Sequence, residues 1–276
     1  MIGRGTFDGR AVEAITFDFG NTLVPVDRAG LRGVVEMTGR RIVERLGPFQ
    51  LGVFMTVWAE ERERQFREEV PRFREVDIAE RLVRVLARLR GMPPPAADVP
   101  WDQAAASALS TSAEIAWGVE VYSRAFVEAM PAPPWVTDTL ARLAERHRLA
   151  ILSNWPLAAT IDRYAEAAGW TPHLAAVVVS QRVGTVKPHP DIFSAALEAL
   201  GGPAPASVLH VGDDWEADVV GAKQAGWRVA YVTGRPTDSP LPASDRDARV
   251  IPDLEIATIA ELVPLLAADR REVTSR

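Results

Sequence analysis

The sequence predicts an α/β fold, a doubly wound parallel sheet interrupted by an inserted all-helical segment. Three observations carry this expectation. Short apolar, β-branched runs recur along the chain, the later ones are separated by segments with helix-boundary chemistry, and the stretch from about residue 28 to 130 has helical periodicity without a convincing strand.

The first run, Ala14-Ile15-Thr16-Phe17, ends in Asp18. The others are Arg148–Leu152, Ala175–Val179, Val208–Val211 and Arg228–Val232. Each has the length and composition of a strand buried on both faces of a parallel sheet. Between them, Pro156–Ala168 closes on Gly169, Pro190–Leu200 on Gly201 and Glu216–Ala225 on Gly226. Proline or an acidic residue at the start and glycine past the end mark helix boundaries. Strands alternating with such helices build a parallel sheet.

The insert reads differently. Val76, Ala79, Leu82, Val83, Leu86 and Leu89 recur at helical spacing behind a candidate N-cap, Asp77. Pro93-Pro94-Pro95 separates this helix from a second long helical run, from Asp102 to about Met130. The run Pro131-Ala132-Pro133-Pro134 marks the return to the sheet. The expected division is a core of residues 1–25 and 131–276 and a helical insert of residues 26–130. The polar end, Arg270–Arg276, is expected to fray.

Composition removes several classes of function. The chain has no cysteine, which excludes disulfides, thiolate nucleophiles and Cys-ligated metal sites and suits a reducing cytoplasm. A net charge of −6 is the wrong sign for a dedicated nucleic-acid binder. The insert's runs Glu60–Arg64 and Arg67–Glu69 mix signs and read as a solvated helix face; its many arginines could meet an anionic substrate, but the expectation is that they pair with the neighbouring glutamates. No apolar run approaches the roughly 18–20 residues of a membrane span, and no apolar stretch near the N-terminus suggests a secretory leader. The expected partner is a small molecule, with no nucleic acid and no membrane. Oligomeric state is not legible.

Parallel sheets bind ligands beyond the carboxyl ends of their strands. The first run ends in Asp18, the second in Ser153-Asn154 and the fourth in Gly212-Asp213-Asp214, with Asp218 on the next helix. Lys187 follows the third. Crowded carboxylates need a cation or a shared proton, and hard oxygen ligands favour magnesium. Ser153 and Lys187 could then hold phosphate oxygens, while an aspartate attacking phosphorus gives an aspartyl-phosphate.

The order of these motifs resembles the haloacid dehalogenase (HAD) superfamily of hydrolases over nearly the whole chain. Motif one is Asp18-Phe19-Gly20-Asn21-Thr22, motif two Ser153, motif three Lys187 in Val183–Pro190, and motif four Gly212–Asp218. A helical insert between motifs one and two resembles the subgroup with a C1-type cap on a HAD-like Rossmannoid core. The resemblance implies that Asp18 is nucleophile and metal ligand and that Gly20 offers its carbonyl to Mg2+. Thr22 would support the loop. Asn21, Ser153, Asn154 and Lys187 would serve the phosphate. Asp213 would ligate the metal, with Asp218 in or beside its coordination sphere, although Asp218 also suits a helix N-terminal charge.

One departure bears on activity. Phosphatases of this superfamily usually carry a second aspartate two residues after the nucleophile, which protonates the leaving group and then activates water. Here that residue is Gly20. General acid–base help is worth ~10²–10⁴-fold. Asp214 and Glu216 are the nearest substitutes in sequence. A 2-haloacid dehalogenase also lacks that aspartate but tends to carry a neutral motif four, unlike Asp213-Asp214. A phosphonatase needs a lysine in the cap, and both lysines, Lys187 and Lys223, lie outside it. A phosphomutase needs the missing acid. The resulting expectation is a Mg2+-dependent phosphohydrolase acting on a small phosphorylated metabolite through Asp18. A phosphate-ligand binder with a vestigial site and a 2-haloacid dehalogenase-like hydrolase are the alternatives. Trp155 and Trp215 either line the crevice or pack against the insert. The four histidines share no ligand spacing, and His210 reads as a buried core histidine.

Overall fold

The computed structural model describes residues 7–96 and 98–267, so the polar end expected to fray lies outside the described residues. Its sheet contains β1 (Ala14–Phe17), β2 (Arg148–Ser153), β3 (Ala176–Val179), β4 (Val208–Gly212), β5 (Arg228–Val232) and β6 (Leu254–Ile256). The order is β3-β2-β1-β4-β5-β6, with every pairing parallel. Register aligns Phe17 with Ile151 on one side and Val211 on the other, so β1, β2 and β4 end close together.

Strand alternation sorts the core into two layers. Ile15, Phe17, Leu149, Ile151, Leu209 and Val211 share a cluster with residues of the insert, including Val34, Phe54, Leu82 and Phe126. Ala14, Ala150, Leu152 and Val208 pack instead against Ile192, Phe193, Val219 and Trp227. Both faces of the sheet are covered, which is why its strands read as apolar runs rather than as alternating ones.

Between β1 and β2 lie α1 (Arg28–Leu46), α2 (Leu51–Glu68), α3 (Ile78–Leu89), α4 (Trp101–Ser107), α5 (Ser112–Ala129) and α6 (Pro134–Ala144). Asp77 caps α3, accepting from Glu80 N. The expected single helix from Asp102 to Met130 is two helices. Leu109 turns left-handed at φ 57°, and a capping box between Thr111 and Glu114 starts α5 afresh. Four more α-helices follow β2, namely α7 (Ala158–Ala167), α8 (Ser180–Val183), α9 (Pro190–Ala199) and α10 (Gly221–Gln224), and α11 (Leu262–Ala267) comes after β6.

Two details depart from expectation. The helix read as Glu216–Ala225 begins as a π-helical stretch, Trp215–Val220, before α10. Such wide turns recur at functional sites, and this one carries Asp218. The edge strand β6 was not expected. It has three residues, with Glu255 exposed between Leu254 and Ile256, too short to register as an apolar run. Among the described residues, no helix is long and apolar enough to cross a membrane.

Candidate active site

Asp18 continues the line of β1, with its N–H donating to Val211 O at 2.8 Å. The chain then folds back tightly, and Leu23 N and Val24 N both donate to Phe19 O. Asn21 sits at φ 59°, a left-handed conformation that asparagine tolerates better than most residues. Its Oδ1 accepts from Val26 N at 3.1 Å, and its Nδ2 donates to Asp213 Oδ2 at 3.3 Å and Ser239 Oγ at 3.0 Å. Both ends of the Asn21 side chain are therefore engaged with protein groups and tie the loop to β4. Thr22 is buried in the same loop.

Lys187 enters from the opposite side of β2. Its buried ammonium donates to Asp18 Oδ1 at 2.8 Å, Asp218 Oδ1 at 2.6 Å and Leu152 O at 2.9 Å. Asn154 fixes that loop through a reciprocal pair, accepting from Lys187 N at 2.7 Å and donating to Lys187 O at 3.0 Å. The Asn154 side chain thus holds Lys187 in place. Ser153 is fully buried; its hydroxyl makes no hydrogen bond of good geometry among the described residues, but it stands beside Asp18, whose carboxyl it helps to hold down. A buried, unpaired hydroxyl is costly unless a ligand or water completes it.

Asp218 is the most heavily satisfied carboxylate. Besides Lys187, its Oδ1 meets His210 Nε2 at 3.0 Å, and its Oδ2 accepts from Asp214 N at 2.9 Å. His210 is buried as expected, with Nδ1 on Thr16 Oγ1 at 2.8 Å, but it also links the core to the site. Asp213 points at Arg235, with 3.1 Å between Oδ2 and Nη1.

The electrostatics follow from this crowding. Burial pushes the Asp18 carboxyl up to about 6, Lys187 pulling it down and Asp218 pushing it further up. Asp213 is pushed up to about 8, by burial first and then by Asp18 and Asp218, with Arg235 opposing. Burial also acts to raise Asp218, but Lys187 and His210 outweigh it and hold this carboxyl below its ordinary value. Burial acts against the charged Lys187, and the Asp18 and Asp218 carboxylates overcome it and raise its pKa.

Asp18, Asp213 and Asp218 each offer a ligand atom, all within 4.8 Å of one another. The donors are hard oxygens, and two of the three carboxyls are raised by burial and mutual repulsion. That donor set fits a divalent cation such as Mg2+. Asp218 comes to such a site with three hydrogen bonds already made, so Asp18 and Asp213 are the freer donors.

Gly20 lines the same cavity, but its missing side chain leaves no gap. A Cβ there would lie 2.5 Å from Leu241 Cδ1 and 3.3 Å from Trp155 Cζ3. Leu241 comes from the irregular segment between β5 and β6, which also supplies Arg235 and Ser239. No periodicity or motif marks that segment, and none of the three residues was predictable.

The cavity over Asp18 has a volume of about 400 Å³. Its floor is polar, with Asp18, Lys187, Asp213 and Asp218, and its walls include Phe66, Phe73, Tyr122 and Trp155. Trp155 therefore lines the crevice, whereas Trp215 packs edge-on against Tyr231 in the core. Asp214 and Glu216 both reach the wall, but Asp214 is occupied as an N-cap to Ala217 N and an acceptor from Ser244. A third wall carboxyl, Glu75, was not singled out in the sequence. It bonds Ser180 Oγ and Val76 N, and burial pushes it up to about 7.

Comparison with known proteins agrees with this fold. Residues 12–226 match the family model for haloacid dehalogenase-like hydrolases. The 5-amino-6-(5-phospho-D-ribitylamino)uracil phosphatase YigB of Escherichia coli is 33% identical over 136 residues, 49% of this chain and 52% of the relative. A phosphoserine phosphatase of Thermus thermophilus is 33% identical over 144 residues, 51% of this chain and 54% of the relative. The chain thus spans about half the length of these curated relatives. Among solved structures, a 2-haloacid dehalogenase from Pseudomonas syringae superposes with a TM-score of 0.64 at 23% identity, covering 93% of this chain and 99% of that one. A HAD phosphatase from Thermococcus onnurineus gives 0.60 at 19%, covering 94% and 100%. These structural likenesses speak to fold alone. With the family match extending from the start of β1 through the π-helical stretch that bears Asp218, the chain belongs to the haloacid dehalogenase-like hydrolases.

Proposed function

We propose that the chain is a Mg2+-dependent phosphohydrolase of small phosphorylated metabolites that works through an aspartyl-phosphate on Asp18. The observation that carries this reading is the cluster itself. Asp18 stands in bonding reach of a buried ammonium and within 4.8 Å of two further carboxylates, a charge arrangement suited to a cation and a phosphoryl group. A dehalogenase attacking carbon tends to carry a neutral motif four, whereas this chain places Asp213 beside Asp18. The phosphatase relatives support the same choice.

In this reading an Asp18 carboxylate oxygen attacks phosphorus, an aspartyl–phosphate bond forms, and the bond from phosphorus to the leaving oxygen breaks. Water then cleaves the acyl phosphate and restores Asp18. Asp18, the Gly20 carbonyl and Asp213 would hold Mg2+, with Asp218 holding Lys187 beside them. The cation would offset the repulsion between carboxylates and phosphate. Lys187, the unpaired Ser153 hydroxyl and main-chain groups near Asn21 and Asn154 would hold the phosphoryl oxygens. Residues 26–130 would act as the cap that closes over the substrate. A cytoplasmic location suits the cysteine-free composition.

Gly20 sets the scope of the activity. It can neither protonate a leaving alkoxide nor activate water, so good leaving groups, acyl and aryl phosphates, are the favoured substrates. The alternative of a phosphate-ligand binder draws on the same position, because Leu241 covers it. The test is turnover of an aryl phosphate with and without Mg2+. Asp18→Asn should abolish it, and activity that survives the substitution would sink the mechanism. Mg2+-stimulated binding of a phosphate analogue without turnover of any ester would favour the binder. Chloride release from a 2-haloacid in the presence of chelator would favour a dehalogenase.

A further inference from the structure

The arginines of α2 and α3 fall into two groups. Arg64, Arg84 and Arg88 meet carboxylates, Arg64 with Glu61 and Glu80, Arg84 with Glu61, and Arg88 with Glu60 and Glu61. These pairs fulfil the expectation that the insert's charges neutralise one another. Arg62 and Arg81 do not. Among the described residues, neither has a carboxylate within ion-pair distance.

Arg81 is the more exacting case, at 3% exposed. Its Nε donates to Gln65 Oε1 at 2.7 Å, and its guanidinium lies 5.3 Å from the centroid of Trp58. Among the described residues, its terminal nitrogens have no hydrogen-bond partner. Arg62 is half-buried, donates to Pro240 O at 2.8 Å and lies 4.7 Å over Phe66. Both side chains line the cavity that holds Asp18 and Lys187, and both line a smaller adjoining cavity of about 190 Å³.

A guanidinium cannot shed its proton to escape burial, and a buried charge is costly without a partner. Burial pushes Arg81 down to about 10 even with Tyr122, Asp77 and Glu75 acting the other way. Arg81's neighbours on the same helix, Arg84 and Arg88, have partners within reach. The unspent donors of Arg62 and Arg81 therefore face a cavity whose other end is built for phosphate.

We infer that Arg81 and Arg62 form a second anion site, so that the substrate carries, besides the phosphoryl group at Asp18, another anionic group joined to it through an apolar or aromatic body. The second group is a carboxylate or a phosphate, both of which match the guanidinium fork. Phe66, Tyr122 and Trp155 supply the apolar wall between the two ends. The inference rests on the phosphohydrolase reading for the first end only.

The experiment is calorimetric binding of three non-hydrolysable probes in the presence of Mg2+. These are phenylphosphonate, 4-carboxyphenylphosphonate and 1,4-phenylenebisphosphonate, each tested against the wild-type chain, Arg81→Met and Arg62→Met. The wild type should bind at least one doubly anionic probe tenfold or more tightly than phenylphosphonate. Which probe gains identifies the second group. Arg81→Met should erase that gain and Arg62→Met should reduce it at least threefold. Equal binding of all three probes by the wild type, or a gain retained in both variants, overturns the site. Should Arg81→Met not fold, Arg62→Met, whose side chain makes one main-chain bond and is half-buried, carries the test alone. A wild type that hydrolyses no phosphate ester yet shows the tenfold gain would remove the phosphohydrolase reading and leave the anion site standing.

Discussion

Gly20→Asp is the most informative substitution in this chain. The backbone at Gly20 lies outside the left-handed region that excludes side chains, so nothing in φ forbids an aspartate there. The obstacle is Leu241, whose Cδ1 stands 2.5 Å from the position a Cβ would take, about 1 Å inside ordinary contact. Overpacking of this kind costs ~1–3 kcal/mol, and Gly20→Asp alone should lose that much in urea denaturation. Because the clash is with the far end of a side chain on an irregular segment, Leu241→Ala should relieve most of it. The double variant then carries an acid two residues from the nucleophile with room to adopt a rotamer.

The kinetic expectation follows from leaving-group chemistry. A positioned acid is worth ~10²–10⁴-fold where the leaving oxygen is a poor one and far less where it is a phenolate. Relative to Leu241→Ala, the Gly20→Asp/Leu241→Ala chain should gain ~10²-fold or more in kcat/KM on an alkyl phosphate and less than ~10-fold on an aryl phosphate. The measurement is steady-state kinetics on the matched pair, with urea midpoints to establish that both variants are folded. A folded double variant with no gain, or with the same gain on both esters, would refute the idea that Gly20 marks a missing proton donor.

Four further outcomes are expected. Lys187→Met strands the half-buried Asp18 and the buried Asp218 carboxylates, so it should cost ~3–5 kcal/mol in urea denaturation, part of it recovered by added Mg2+; a loss under ~1 kcal/mol, or no response to Mg2+, would contradict the charge assignment. Glu75, raised by burial from an ordinary value of 4.5 to about 7, favours the folded state in its protonated form. Its contribution to stability is complete below pH 4.5 and is lost as pH rises through about 7, and Glu75→Gln should flatten that slope. If Glu75 also supplies the proton that Gly20 cannot, kcat on alkyl phosphates falls above pH 7 in the wild type but not in Glu75→Gln, which stopped-pH assays would read directly. Asp213, raised to about 8 by burial and by Asp18 and Asp218, must lose its proton to bind a cation, so Mg2+ affinity should climb with pH up to about 8 with proton release in buffers of different ionisation enthalpy, and Asp213→Asn should abolish the part of the climb above about 7, leaving the lower part that Asp18 gives.

The sheet was legible because both of its faces are covered, so β1 to β5 each stand out as a short, largely apolar run. The residues at the strand ends were legible for the same reason, since a parallel sheet gathers the ends of β1, β2 and β4 at one edge. What the sequence could not show was the partnering. Asn21 and Asn154 read as ligand contacts, yet their side chains are occupied with Val26, Asp213 and the Lys187 main chain, which only a long-range fold can bring to them. Arg235, Ser239 and Leu241 sit in a segment whose position depends on packing over the loop after Asp18, so no local signal announces them. The break at Leu109 was readable after the fact, because Thr111 and Glu114 have capping-box spacing inside what looked like one continuous helix. Arg62 and Arg81 were lost in a charge-rich helix pair, where spacing alone does not separate a paired arginine from an unpaired one.

The charge balance ties these pieces together. At the floor of the cavity, three carboxylates face the Lys187 ammonium and the Arg235 guanidinium. A phosphate monoester brought to that floor adds more negative charge than the two cations can balance, so the site as built repels such an ester unless a divalent ion accompanies it. At the other end of the cavity the imbalance has the opposite sign, since Arg62 and Arg81 present positive charge with no carboxylate in ion-pair distance among the described residues, and Glu75 nearby is held toward its neutral form by burial. A substrate anionic at both ends, entering with Mg2+, satisfies both imbalances at once. A singly anionic substrate leaves the arginine end uncompensated, and without the metal it is opposed at the carboxylate end. The two requirements are separable. Chelation should weaken binding of every phosphonate probe alike, whereas Arg81→Met should weaken only those with a second anion. Were chelation instead to weaken only the doubly anionic probes, the metal and the arginines would be acting on one end of the ligand, and the two-ended arrangement would have to be abandoned.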